Sequence, residues 1–210
     1  MAREVDFRLY VISDRKICAP RVLTLVLKQA AQVGVRALQL REKDLSAREL
    51  YRLALDVQEN VSRYGTKLLI NDRADIAAAV GAAGVHLTER SMPAGAARRI
   101  LGEEALIGVS AHTAEGVLAA EQDGADFVLL GPVFRSPSHP EIPPLGLHAL
   151  EQIVQRVKIP VFAIGGITPE NARECLEAGA HGVACISAVV GAQSVRSAVR
   201  AFKRALGGIL

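Results

Sequence analysis

Asp123-Gly124-Ala125-Asp126, followed at once by Phe127-Val128-Leu129-Leu130, closes a helical pattern and opens a short apolar run. Almost the same phrase stands at Val80-Gly81-Ala82-Ala83-Gly84, ahead of Val85-His86-Leu87, and at Ala178-Gly179-Ala180-His181-Gly182, ahead of Val183-Ala184-Cys185-Ile186. Glycine in this place relieves left-handed strain at a helix C-terminus, and the alanine after it lets the chain pass close beneath the helix before entering a sheet. One helix-to-strand turn is therefore written three times.

Working outward from these turns, apolar runs that read as strands recur at residues 8–12 (RLYVI), 37–41 (ALQLR), 67–70 (KLLI), 84–87 (GVHL), 106–109 (LIGV), 126–130 (DFVLL), 161–164 (VFAI) and 182–186 (GVACI). Helical patterns lie between them, including 46–64, 113–122, 147–157 and 169–177, with Ser46 ahead of Glu49 and Thr113 ahead of Glu115 near their starts. Eight such units on 210 residues match a compact (β/α)8 TIM barrel, an α/β fold built as a single domain over residues 1–210. The other α/β solution is an open doubly wound sheet, but no GxGxxG follows the first strand. No linker or low-complexity tract divides the chain. The one long proline-rich loop, residues 132–146, follows the sixth strand, and a loop of that length inside a compact domain is often a functional lid.

Composition narrows the function classes. With 50% hydrophobic and 22% charged residues, the chain is neither disordered nor fibrous. Only 4% of residues are aromatic and none is Trp, so a core of small aliphatic side chains is expected. The formal charge of +3 comes from 25 basic and 22 acidic residues, and no basic run interleaved with aromatics offers a nucleic-acid surface. Cys18, Cys175 and Cys185 form no CxxC pair, which argues against a disulfide framework or structural zinc and for a reducing cytoplasm. The first residues lack an apolar secretion core, and no apolar stretch approaches the roughly 18 residues of a membrane span. A cytoplasmic protein acting on small molecules, with no membrane or nucleic-acid partner, is expected; a homo-oligomer stays open.

In a barrel the chemistry sits at the C-terminal strand ends. Gln39, Arg41 and Lys43 alternate along the second strand, so all three are expected on one side, and the two cations there ask for an anion. The alternative is ordinary pairing with Glu42 or Asp44. Asn71-Asp72 ends the third strand, where a carboxylate suits a hard cation such as Mg²⁺, or else serves an Asx turn or helix cap. Gly165-Gly166 after the seventh strand and Ile186-Ser187 after the eighth read as a phosphate corner, in which bared amides and a helix N-terminus bind a dianion; a tight turn is the alternative. His112 is a candidate acid or base, and His86 alternates with Val85 and Leu87 as an interior residue. No HxH or HExxH spacing suggests zinc.

LYVISD (9–14), QLREK (39–43), INDRADIA (70–77), GVHL (84–87), IGVSAHT (107–113), GADFVLLGPVF (124–134), AIGGIT (163–168) and GVACIS (182–187), taken in order, resemble the thiamine phosphate synthase family, which also contains the thiazole tautomerases. The likeness covers almost the whole chain. It implies an Mg²⁺-dependent union of a pyrimidine methyl diphosphate with a thiazole phosphate, with release of diphosphate. By the same resemblance Gln39, Arg41, Lys43 and Asn71 hold the pyrimidine diphosphate, Asp72 binds Mg²⁺, and Ser110 contacts the departing diphosphate. Gly165, Gly166, Ile186 and Ser187 hold the thiazole phosphate, helped by the hydroxyls of Ser136 and Ser138. Lys43, Ser110, His112 and His139 form the catalytic group.

Two phrases depart from the family pattern. Thr88-Glu89-Arg90-Ser91 stands where the family has GQxD, so Ser91 occupies the place of a second metal carboxylate and Glu89 is the nearest substitute. Ser136-Pro137-Ser138-His139 stands for TPTK, which keeps two hydroxyls but exchanges a permanent cation for a titratable ring. A thiazole tautomerase that uses His112 for proton transfer is the alternative enzyme, and a non-catalytic phosphate-ligand sensor is the alternative outside catalysis. Arg41, Lys43, Asn71 and Asp72 favour the synthase, because proton transfer alone has no use for them.

Overall fold

The computed structural model describes residues 4–136, 141–208 and 210. Strands β1 (Leu9–Ile12), β2 (Ala37–Leu40), β3 (Lys67–Asn71), β4 (Gly84–Leu87), β5 (Leu106–Ala111), β6 (Phe127–Leu130), β7 (Val161–Ile164) and β8 (Gly182–Cys185) are all parallel. Each pairs with the next, and β8 pairs with β1, which closes the expected barrel. Around it run α1 (Arg15–Cys18), α2 (Leu23–Gln32), α3 (Ala47–Val61), α4 (Ala74–Ala79), α5 (Ala94–Leu101), α6 (Ala114–Gln122), α7 (Gly146–Val154), α8 (Ala172–Glu177), α9 (Ser187–Val190) and α10 (Val195–Ala205). Among the described residues no helix is long and apolar enough to cross a membrane.

The repeated turn is a Schellman cap. Gly81, Gly124 and Gly179 have φ of 62°, 90° and 89°. The alanine after each donates back across the turn, from Ala82 to Ala77, from Ala125 to Ala120 and from Ala180 to Cys175, at 2.9–3.0 Å. Gly34 (φ 103°) closes α2 the same way through a Val35 to Ala30 bond of 3.2 Å, a fourth copy hidden in sequence because valine replaces alanine. At the other helix ends, Ser46 and Glu49 form a reciprocal capping box, while Thr113 caps through the Gly116 amide rather than by pairing with Glu115.

Several boundaries differ from the sequence expectation. β2 stops at Leu40, β3 takes in Asn71, β5 runs on to Ala111, and α8 begins at Ala172. The core also divides in two. Between strands and helices it is aliphatic, as expected, with Val11, Leu38, Val85, Val128 and Val183 facing Leu27, Leu50, Val57 and Val199. The inside of the barrel is instead aromatic: Phe7, Tyr10, Phe127 and Phe162 are fully buried with ring centroids 5.1–6.4 Å apart. Glycines make the room. A Cβ on Gly108 would stand 2.4 Å from the Phe127 ring, and one on Gly182 would stand 2.7 Å from Phe162. Few aromatics suffice because one stack fills the closed cylinder and leaves its upper end for polar groups.

Candidate active site

That upper end has two halves. Ile12, Leu129, Ile164 and Ile186 belong to the inner apolar cluster, while β2 to β5 contribute Gln39, Asn71, His86 and Ser110. Gln39 Nε2 donates to Asn71 Oδ1 at 3.1 Å, and His86 Nε2 meets Ser110 Oγ at 2.9 Å. Burial, with the Arg41 charge adding to it, pushes the His86 imidazole down to about 3, so the ring is neutral at physiological pH.

Because β2 ends at Leu40, Arg41 and Lys43 lie on the following loop instead of alternating along a strand. A buried carboxylate holds that loop. Glu42 accepts from Ser13 Oγ at 2.6 Å and from the Arg15 amide at 3.2 Å, while Ser13 Oγ accepts from the Arg41 amide at 2.8 Å. Glu42 and Asp44 both pair with Arg15, which leaves neither for Arg41 or Lys43. Among the described residues the Arg41 and Lys43 side chains have no hydrogen bond or ion pair. They crowd each other: the Arg41 charge, then partial burial, draws the Lys43 ammonium below its ordinary value, with Arg90 adding to the effect and Asp72 opposing it. Lys43, Asn71, Asp72, Arg73, Thr88 and Arg90 line a cleft of about 390 Å³. Arg90 was not assigned a role from sequence. Its signal was charge at a strand end, obscured by the adjacent Glu89.

Asp72 is the only non-glycine residue with positive φ (62°) among the described residues. Its amide donates to the His86 carbonyl at 2.8 Å, and the helix after it has Arg73 at its cap position with no side-chain cap bond. The carboxylate is thus exposed, caps nothing and has no ion-pair partner among the described residues, while Arg73 is held by Asp75 at 2.8 and 2.6 Å. Ser91 Oγ accepts from the Thr88 amide at 2.8 Å and meets the Thr88 hydroxyl at 3.0 Å. The Glu89 carboxylate lies 3.6 Å from where a Cβ of Gly116 would be, beside the first turn of α6. No group of three acidic, His or Cys side chains able to hold a metal occurs among the described residues. Asp72 as a single carboxylate still fits an ion of the Mg²⁺ type, which takes one or two carboxylates and completes its shell with phosphate oxygens and water.

Across the mouth, Gly165 and Gly166 have φ of 93° and 66°, and a Cβ on either would stand 2.5 Å from the loop after β6, against Pro132 and the Arg135 carbonyl. That loop is pinned to them by Val133 and Phe134 amides donating to the Ile164 and Gly165 carbonyls at 2.8 and 3.0 Å. The helix N-terminus at this corner belongs to α9, which opens at Ser187 straight after Ile186, and not to α8, which starts six residues beyond Gly166. Among the described residues the amides of Gly166, Ser187 and Ala188 donate to no acceptor. Arg21 holds the far end of α9 by donating to the Val190 and Ala192 carbonyls at 2.5 and 2.7 Å. His112 Nδ1 lies 2.6 Å from the Gly131 carbonyl and donates to it, which fixes the orientation of the ring. Ser136 is buried in the loop after β6. Ser138 and His139 lie outside the described residues.

A family model described as thiamine monophosphate synthase matches residues 9–189. The chain belongs to the thiamine monophosphate synthase family. It is similar to a putative thiamine-phosphate synthase of Geobacter sulfurreducens, with 49% identity over 94% of this chain and 93% of that one. It is also similar to the thiamine-phosphate synthase of Clostridium tetani, with 39% identity over 93% and 94% of the two chains. The solved thiamine phosphate pyrophosphorylase of Pyrococcus furiosus superposes with a TM-score of 0.88 at 37% identity, covering 98% of both chains. The family resemblance carried by the sequence phrases thus holds across the whole barrel.

Proposed function

We propose that this protein is a transferase of thiamine biosynthesis that joins a pyrimidine methyl diphosphate to a thiazole phosphate and releases diphosphate. The observation that carries this reading is the pairing of opposite edges. Arg41, Lys43 and Arg90 converge with one opposing carboxylate at β2 to β4, and uncommitted amides stand at β7 and β8. A substrate pair bearing one anion each fits such a mouth.

In this reading Gln39, Arg41, Lys43 and Asn71 grip the diphosphate, joined by Arg90, and Ser110 donates to it. Asp72 holds Mg²⁺, with Glu89 or Ser91 contributing only if their turns rearrange; the ion, when bound, neutralises charge developing on the diphosphate. Gly165, Gly166, Ile186 and Ser187 orient the thiazole phosphate, and by the family resemblance Ser136, Ser138 and His139 join them. The C–O bond to diphosphate breaks with its electron pair leaving on oxygen, and the thiazole nitrogen lone pair forms the new C–N bond. No protein nucleophile is needed, and the converging cations stabilise the departing charge. His112, oriented by the Gly131 carbonyl, borders the same mouth.

The three buried, unpaired cysteines suit a reducing cytoplasm. The test is direct. Purified protein supplied with both substrates and Mg²⁺ is expected to yield thiamine phosphate and diphosphate in equal amounts. Isomerisation of a thiazole tautomer without coupling, or saturable binding with no conversion, would replace the synthase by the tautomerase or the sensor.

A further inference from the structure

We propose that His86 is a positioning residue. It donates its Nε2 proton to Ser110 Oγ and so leaves the Ser110 hydroxyl hydrogen free to donate to the departing diphosphate. The role in diphosphate departure rests on the synthase reading above; the placement of the proton does not.

His86 is 1% exposed, and its Nε2 is 2.9 Å from Ser110 Oγ. Its other nitrogen faces apolar surface. A Cβ on Gly108 would stand 2.5 Å from His86 Nδ1 and 2.4 Å from Phe127 Cζ, so Nδ1 sits against the bare Cα of Gly108 and the end of a phenyl ring. Nδ1 is buried with no hydrogen-bond partner among the described residues. A charged ring would place an N–H on Nδ1 as well, aimed at that apolar surface with nothing to accept it, so the ring is neutral. Two neutral tautomers remain, and they leave different orphans.

With the proton on Nδ1, a buried N–H would point at hydrocarbon, and Nε2 would consume the only hydrogen of Ser110. Ser110 would then turn lone pairs toward an oxyanion. With the proton on Nε2, the orphan is a lone pair, and Ser110 accepts from the ring. Orphaned buried N–H groups are rarer than under-satisfied acceptors, which selects the second tautomer. Ser110 is partly exposed near the C-terminal end of β5, where the active site of a barrel opens. A hydroxyl that already accepts from a fixed N–H is also a better donor through its own hydrogen, since hydrogen bonds in series polarise each other.

Long-range ¹H–¹⁵N correlation on histidine-labelled protein, with the His86 signals assigned by their loss in His86→Gln, reads the protonated nitrogen directly. Protonation of Nε2 is expected, and protonation of Nδ1 overturns the proposal. Kinetics supplies the functional half. His86→Met, of similar volume but without a donor, is expected to lower kcat about tenfold with little change in KM for the pyrimidine diphosphate, as is Ser110→Ala. Because one acts through the other, the double variant should be no slower than Ser110→Ala alone, and His86→Gln, which restores an N–H at that reach, should recover most of the rate. Losses that multiply in the double variant would overturn the positioning role. Should the wild-type protein carry the proton on Nε2 yet make no coupled product, the synthase reading fails while the tautomer assignment stands.

Discussion

On the β2 to β4 edge of the mouth, the proposed anion site hangs on long side chains. Arg41, Lys43 and Arg90 raise a local positive potential that Asp72 offsets in part. On the β7 to β8 edge the proposed site is almost pure backbone, with Gly165 and Gly166 in left-handed conformations and α9 starting where β8 ends. The first construction concentrates charge and is strong but sensitive to salt; the second has fixed dipoles, little net charge and no rotamer freedom to lose. A diphosphate that must gain negative charge as it leaves is matched by the first. A phosphate that only has to be held in place is matched by the second.

The sharpest way to break this division is to withhold the proposed divalent ion. Chelation of Mg²⁺, or Asp72→Ala, is expected to lower turnover about 10³-fold while thiazole phosphate binding, read by calorimetry, stays intact. Loss of both together would mean that the edges are one site. Next comes Arg41→Ala, for which kcat/KM toward the pyrimidine diphosphate should fall roughly 10²-fold, as when one preorganised donor to a developing anion is deleted. An equal fall in thiazole phosphate affinity would contradict the assignment of Arg41 to one edge.

Gly166→Ala tests the other side. A methyl group there requires a left-handed alanine and meets the Arg135 carbonyl at 2.5 Å, so thiazole phosphate should bind about tenfold more weakly while inorganic diphosphate is unaffected. Arg90→Ala should weaken inorganic diphosphate only about threefold to fivefold, because Arg90 is solvent-exposed and screened, and the difference should vanish at high salt. Smallest is Arg73→Ala. Arg73 lines the same cleft but is spent on Asp75, so activity should stay within about twofold, which separates cations that face the ligand from those that face a neighbour.

The fold was legible because its units repeat. The Gly-Ala turn at 81, 124 and 179 marks where helix gives way to strand, and local chemistry alone demands it. The fourth copy at Gly34 escaped notice because the Schellman bond needs only an amide after the glycine, whatever the side chain. The glycine turn after β7 and the strand end after β8 were legible too, but the helix beside them was not. Thr168-Pro169 looks like a helix start, yet Asn171 ties back the Thr168 amide at 2.9 Å and the Gly166 carbonyl at 2.9 Å, which delays α8 to Ala172. The aromatic interior was missed for a different reason. A count of aromatics reports how many there are, whereas their collection into one stack depends on three strands and the N-terminal segment meeting in a closed cylinder.

Sequence by itself determined the βα rhythm, the strand ends and the residue types able to meet two anions, because turn chemistry and alternation act over a few residues. Tertiary structure alone decided which cations are free. Glu42 lies between Arg41 and Lys43 in sequence, yet it faces Ser13 and Arg15 from another strand end. Whether a charge is neutralised or available depends on which carboxylate the folded chain brings within reach, and that distance is not encoded at any single position.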